Sequence, residues 1–431
     1  MDKIGKYEII RELGSGATSA VYLALDPFSN QRVALKLFNL DDLRDPALAK
    51  AHRKLLLTEA SLVGKLSHPH IVKVFDAVMD GTVNYMVMEY VAGETLEYHS
   101  QAAHLLPFGT VAEVMYKCCK ALEYAQYQGV IHRDIKPANI LVCGQSDIKI
   151  SDFGAALVVN QQTTQVSGVG SPAYMSPEQV DEQPLTHQTD IYSLGVTMFQ
   201  LLTGKLPFEA RNNYSLIYQI MHVEAQPART LRPEIPPELD AIVQRAMQKD
   251  LSRRYLAWDE FARDLVGFFN RNVVTPTEIF DVEKFDILRA LAFFKNFSDV
   301  ELWEVLRLGA WRKVRMGEYI LHEGDRGREF FILGYGVVKV IKQGNLLSTL
   351  YKGDCFGEMA HLSERDFMRT TDVVAESDVT LMEINPDVLQ RATDGCRFQI
   401  DHAFLRLLVQ RLDGANTRIS QLLSEQLEDQ G

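Results

Sequence analysis

Between Val130 and Leu141 the chain carries His132, Arg133, Asp134, Lys136 and Asn139, and Asp152-Phe153-Gly154 follows after a short interval. That spacing puts two carboxylates, an ammonium and an amide within one loop and one hairpin of each other. Transfer of a phosphoryl group needs that set: a base for the attacking hydroxyl, a cation for the moving phosphate, and oxygen ligands for magnesium. Asp134 fits the base, Lys136 the cation, and Asn139 with Asp152 the metal ligands.

Upstream residues supply what such a site needs for a nucleotide. Leu13-Gly14-Ser15-Gly16-Ala17-Thr18-Ser19-Ala20-Val21 lies between two β runs. Glycine there lets backbone amides approach phosphates without a Cβ in the way. Lys36 sits within the apolar run Val33-Ala34-Leu35-Lys36-Leu37-Phe38, where an unpaired ammonium is costly.

His132-Arg133-Asp134 with Asp152-Phe153-Gly154 resembles the catalytic core of eukaryotic-like serine/threonine protein kinases. The long form His-Arg-Asp-Ile-Lys-Pro-Ala-Asn is similar to bacterial members. The resemblance implies ATP and Mg2+, with Gly14, Gly16 and Val21 over the nucleotide and Lys36 on its phosphates. It makes Glu59 the carboxylate that holds Lys36, and Glu89-Tyr90-Val91 the adenine hinge, with Met88 behind it. It implies phosphorylation at Thr163, Thr164 or Ser167, a threonine favoured, with Arg133 as partner. Ser171 stands where the substrate-binding loop usually has threonine. Glu178 is expected to pair with Arg254, and Asp190 to brace the catalytic loop.

A second pattern lies downstream. Glu318-Tyr319-Ile320-Leu321-His322-Glu323-Gly324-Asp325, followed by Gly353-Asp354-Cys355-Phe356-Gly357-Glu358-Met359-Ala360, resembles cyclic-nucleotide-binding domains over roughly residues 285 to 425. The resemblance implies that cyclic AMP or cyclic GMP is held by Glu358 on the ribose hydroxyl and Arg369 on the phosphate. Arg365 is a rival for Arg369. Thr370 resembles sites that favour guanine, and Asp372 departs from the family pattern.

The elements that must position these groups follow from periodicity. Strand-like runs give way to helical stretches after Val111, and the run from Ala47 to Leu66 reads as a helix. Short β segments split by glycines between Arg315 and Glu383 read as a small barrel or jelly roll. The expected fold is α+β: a bilobal protein kinase fold over 1–269, a polar connector over 270–284, and over 285–431 a small β jelly roll with flanking helices. In the final helix, expected over Phe404 to Leu427, Leu405, Leu408, Leu412, Ala415, Ile419 and Leu422 recur at three- and four-residue steps. That fits a packed helix, a ligand lid or a homodimer contact.

Composition narrows the partners. Over 431 residues, 46% hydrophobic and 24% charged, the chain reads as a globular protein of two or three folding units. A formal charge of −12 disfavours nucleic acid or an anionic membrane as partner. No apolar run reaches the roughly 20 residues of a membrane span, so the expected enzyme is cytoplasmic and acts on a protein substrate. Five scattered cysteines show no metal spacing and read as reduced core thiols. A non-catalytic kinase-like scaffold, or an active kinase whose second domain is a ligand-free assembly module, are the rival readings.

Overall fold

Alternation along one strand decides which way the first sheet faces. In Gln31–Phe38, Val33 and Leu35 are buried in a cluster with Ile4, Tyr7, Ala24, Tyr85 and Val87, and Leu37 packs against it. Successive side chains of a strand point to opposite faces, so Ala34 and Lys36 face the other way.

The computed structural model describes residues 3–15, 19–38, 64–79, 83–144, 146–153, 157–158, 172–272, 281–358 and 368–428. It divides into two units, Met1–Thr277 and Glu278–Gly431. In the first, β1 (Lys3–Ile4), β2 (Tyr7–Ser15), β3 (Ser19–Asp26), β4 (Gln31–Phe38), β5 (Val74–Met79) and β6 (Asn84–Glu89) form one sheet. Its order is β1-β2-β3-β4-β6-β5, and the pairings are antiparallel. The helix expected between Ala47 and Leu66 lies outside the described residues except for its last three positions.

The rest of this unit is mainly helical. Phe108–Tyr127 carries no Pro, and its Val111, Val114, Met115, Cys118, Leu122 and Ala125 are buried. Gln188–Thr203 is buried along most of its length, and Trp258–Asn272 completes the packing. The helix Gln188–Thr203 stops at Gly204, whose φ of 74° is left-handed. A Cβ there would lie 2.8 Å from the backbone of Ala102, so both conformation and space call for glycine. Short strands lie before and between these helices: β7 (Glu94–Thr95), then β8 (Val130–Ile131), β9 (Ile140–Cys143), β10 (Asp147–Ile150) and β11 (Leu157–Val158). They pair as β10-β9-β7 and β11-β8.

The second unit is two four-stranded antiparallel sheets. β12 (Gly309–Val314), β19 (Val379–Ile384), β14 (Phe330–Tyr335) and β17 (Cys355–Phe356) make one. β13 (Tyr319–Leu321), β18 (Asp372–Ala375), β15 (Val338–Lys342) and β16 (Asn345–Leu350) make the other. Their inward faces share a core that includes Val314, Phe331, Leu333, Val338, Phe356, Val373 and Leu381, which is the jelly roll expected. Helices Asp281–Ala290, Asp299–Leu308 and Asp394–Glu428 flank it. The last of these is pinned by Phe404, which packs edge-on against Phe293 and Phe330.

Three boundaries differ from the sequence reading. Residues 270–272 continue the helix Trp258–Asn272, and Asp281 already opens the next helix. The expected connector over 270–284 is therefore shorter at both ends. The final helix begins at Asp394, ten residues before the expected start. All five cysteines are free thiols, and burial pushes the Cys118 thiol up.

Candidate active site and a nucleotide-sized cavity

Strand register assembles the upper part of the first site. Gly14 lies opposite Val21, Val21 opposite Lys36, and Lys36 opposite Met86. Cross-strand partners share a face, so Val21 and Lys36 project from the side of the sheet away from its apolar core. Gly16 and Glu59 lie outside the described residues. Lys36 reaches Asp152, with an ion pair from Nζ to Oδ1.

The lower part is a loop held by one buried carboxylate. Asp190, from the helix Gln188–Thr203, accepts the backbone N–H of His132 at 2.7 Å and that of Arg133 at 2.7 Å. Burial pushes the Asp190 carboxyl above its ordinary value, and its bonds to the two amides offset this only in part. Arg133 has φ 70° and Asp152 φ 61°, a left-handed backbone that neither side chain favours. The Arg133 carbonyl also accepts from Gln179 Nε2 at 2.9 Å, which fixes the loop from a second element.

The named polar groups meet on this frame. Lys136 Nζ donates to Asp134 Oδ2 at 2.8 Å. The Asn139 amide nitrogen donates to the same oxygen at 3.0 Å and to the Asp134 carbonyl at 2.8 Å. The Asn139 carbonyl accepts the Ser151 N–H at 2.8 Å, and Ser151 is the neighbour of Asp152. Phe153 packs on His132, ring centroids 4.4 Å apart, and His132 Nε2 contacts the Ser151 carbonyl at 3.0 Å. One continuous set of contacts thus runs Lys36, Asp152, Ser151, Asn139, Asp134, Lys136.

With the Asn139 nitrogen turned to Asp134, its amide oxygen is the end left for a cation. An amide oxygen beside the Asp152 carboxylate is a hard-oxygen pair of the kind that suits magnesium, so the residues present fit that ion.

At the hinge, the Glu89 side chain is taken by Lys149 Nζ at 2.9 Å, and its N–H donates to the Lys73 carbonyl at 2.8 Å. Among the described residues the Val91 backbone makes no hydrogen bond. Thr163, Thr164, Ser167 and Ser171 lie outside the described residues.

Glu178 accepts from Arg254 at 2.7 and 3.1 Å and from Thr189 Oγ1 at 3.0 Å. Burial alone would raise its carboxyl. The bonds and charge of Arg254 outweigh burial and hold it below its ordinary value.

The second unit contains a cavity of about 600 Å³. Leu321, Val340, Leu350, Phe356 and Val373 give it an apolar floor, and Thr370, Thr371, Glu358 and Arg369 give it polar atoms. Volume and mixed lining suit a small ligand with a few polar handles. Glu358 and Arg369 do not pair with each other. Arg369 Nη1 donates to the Glu329 carbonyl at 2.8 Å and the Gly357 carbonyl at 3.2 Å, and Nη2 to Glu329 Oε2 at 3.1 Å. Glu358 is bonded by Arg411, which also donates to the Cys355 carbonyl.

Both partners, Glu329 and Arg411, escape sequence reasoning. They lie 40 and 53 residues from the groups they hold, and no local spacing announces them. Asp372 proves to be structural: its carboxylate accepts the Glu323 N–H at 2.7 Å, while its neighbours Thr371 and Val373 line the cavity. Arg365 lies outside the described residues.

A two-part sheet and helix unit with this convergence defines a protein kinase, and comparison agrees. The chain belongs to the protein kinase domain family, which it matches over residues 7–264, and it matches the cyclic nucleotide-binding domain over 311–395. It is 35% identical over 277 residues to a probable serine/threonine-protein kinase of Clostridium acetobutylicum. It is 32% identical over 294 residues to serine/threonine-protein kinase PrkC of Bacillus subtilis. It is 38% identical over 285 residues to probable serine/threonine-protein kinase PknB of Corynebacterium glutamicum. These matches cover 64%, 68% and 63% of this chain, and 41%, 45% and 43% of those relatives. The chain thus spans less than half the length of the curated relatives it matches. Among the described residues no helix is long and apolar enough to cross a membrane.

Proposed function

We propose that the chain transfers the γ-phosphoryl group of ATP to serine or threonine hydroxyls of a protein, on the cytoplasmic side where ATP is supplied. The observation that carries this reading is the chain of contacts from Lys36 to Asp152 and, through its neighbour Ser151, to Asn139, Asp134 and Lys136. Asp134 accepts the proton of the attacking hydroxyl. Lys136 lies against that carboxylate, where it meets the charge of the phosphoryl group as it moves. Lys36 reaches the phosphates further back, with Glu59 as its second partner. Gly14, Gly16 and Val21 cover the nucleotide, and the backbone at Glu89 and Val91 takes the adenine. Magnesium, held by Asn139 and Asp152, would supply neutralising charge between the phosphates. Thr163 or Thr164 is the modification site we favour in the segment after Gly154, with Ser167 the alternative. Transfer of labelled phosphate to a basic protein by wild type, absent in Asp134→Asn, tests the assignment; equal transfer by both would reject it.

For the second unit we propose a cyclic mononucleotide receptor that tunes this activity. Glu358 takes the ribose 2′-hydroxyl and Arg369 the phosphate. A regulatory ligand has to bind the active and inactive states unequally, since equal affinity shifts nothing. Calorimetry with cyclic AMP and cyclic GMP that gives no heat with either would retire the receptor.

A second reading, assembly with another copy of the chain, is favoured by the last helix. Phe398, Leu405, Val409 and Leu412 are 61%, 58%, 66% and 64% exposed, and with His402 and Asn416 they recur at alternating four- and three-residue steps. The stripe places Val409 at a, Leu405 and Leu412 at d, and Asn416 at a further a position. That pattern suits a parallel two-stranded coiled coil whose buried Asn sets the register. Asp401 and Arg406 occupy flanking positions of opposite charge. Sedimentation of the full chain distinguishes a dimer from a monomer.

A further inference from the structure

The helix Asp394–Glu428 has two opposed faces. Leu407, Gln410, Arg411 and Gly414 line the cavity, whereas Leu405, Val409 and Leu412 lie about half a turn around the helix and are bare. Arg411 is the charged link between this helix and the cavity wall. Its guanidinium bonds the Glu358 carboxylate and the Cys355 carbonyl together, one from each terminal nitrogen.

The two partners differ in exposure. Glu358 is 1% exposed, while the Arg411 side chain is 39% exposed. The arginine is thus the more open partner of a buried carboxylate that also lines the cavity. A guanidinium and a hydroxyl both make charge-assisted bonds to a carboxylate, but only the guanidinium also brings the opposite charge.

We infer that Arg411 is a built-in competitor for the ribose 2′-hydroxyl, so that a ligand reaching Glu358 must release the helix. The inference rests on the receptor reading of this cavity and assigns its regulation. Bonded by Arg411, Glu358 is already satisfied, and the helix is tied to the wall. A cyclic nucleotide takes over the carboxylate, Arg411 lets go, and the segment bearing the bare stripe is freed from that tie. Coupling is reciprocal: whatever holds the helix in place, a second copy of the chain included, weakens the ligand by the same factor.

The test uses the full chain as wild type, Arg411→Ala, Arg411→Gln and Glu358→Gln. Hydrogen exchange without ligand reads the tie alone, and both Arg411→Ala and Glu358→Gln should speed exchange of the amides around residues 405–414. Unchanged exchange in both overturns the inference whatever the cavity binds. Calorimetry then uses cyclic AMP, cyclic GMP and their 2′-deoxy analogues. Competition makes Arg411→Ala and Arg411→Gln bind the ribonucleotide about fivefold or more tighter than wild type, while the 2′-deoxy analogue gains nothing. Weaker binding of both analogues makes Arg411 a ligand contact and overturns the inference, with the receptor intact. No binding by any variant removes the receptor and the inference together.

Discussion

Arg369 and Glu178 are both buried charges, and the partner of each decides what its loss would do. Arg369 is fixed by three acceptors around Glu329 and Gly357, so it is aimed before any ligand arrives. If a cyclic phosphate completes its shell, Arg369→Ala should remove a charged bond of about 1.5–3 kcal/mol. That is roughly ten- to a hundredfold in affinity, read by calorimetry. Unchanged affinity would make the arginine a strut for the loop alone. Glu178 shows the opposite case, a purely structural pair. Arg254 is fully buried and Glu178 nearly so, so removing one charge strands the other. Glu178→Gln should cost about 3 kcal/mol at neutral pH, measured by denaturant unfolding. The folded carboxyl lies below its ordinary value of 4.5, so its contribution is present above that value and is lost as pH falls through the folded one. The gap between wild type and variant should therefore close on acidification; a gap that persists at low pH would contradict the assignment.

At the scale of elements, the catalytic loop depends on the helix Gln188–Thr203 more than on its own sequence. Asp190 satisfies two consecutive amides, and one of those residues, Arg133, has a left-handed backbone. Asp190→Ala should leave both amides unpaired and cost about 2–4 kcal/mol, with activity falling further than stability because the loop relaxes. A stability change below about 0.5 kcal/mol would show the loop to be self-supporting. The loop residues stand out in the sequence because Asp134, Lys136 and Asn139 fall within six residues, so local spacing carries their geometry. The last helix was legible as a helix but not in phase. Leucines at 405, 408 and 412 fit two overlapping stripes, and only burial separates them: Leu408 is partly covered, whereas Val409 is bare. Replacing Leu405, Val409 and Leu412 together by serine should leave the fold intact, since all three are exposed. It should convert a dimer to a monomer in sedimentation; wild type that is already monomeric would end the assembly reading.

For the whole molecule, two units of different chemistry share one chain, and a nucleotide is proposed for each. Met1–Thr277 holds the polar set proposed for phosphoryl transfer, and Glu278–Gly431 holds a cavity lined by a buried carboxylate and arginine. The fold class was readable because glycine-punctuated strands and long periodic helices have different periods. What was not readable was the wiring across distance, such as Glu329 to Arg369 and Arg411 to Glu358, since such pairs depend on packing rather than spacing. Whether cyclic nucleotide changes kinase output is a separate question from whether the kinase works, and the latter comes first. The full chain should be incubated with magnesium and γ-labelled ATP and a basic protein rich in serine and threonine, beside Asp134→Asn. Wild type should transfer label at a rate about 10²–10⁴-fold above the variant. No transfer by correctly folded wild type under these conditions, or equal transfer by both proteins, would contradict the assignment of Asp134 and its neighbours as a phosphoryl-transfer site.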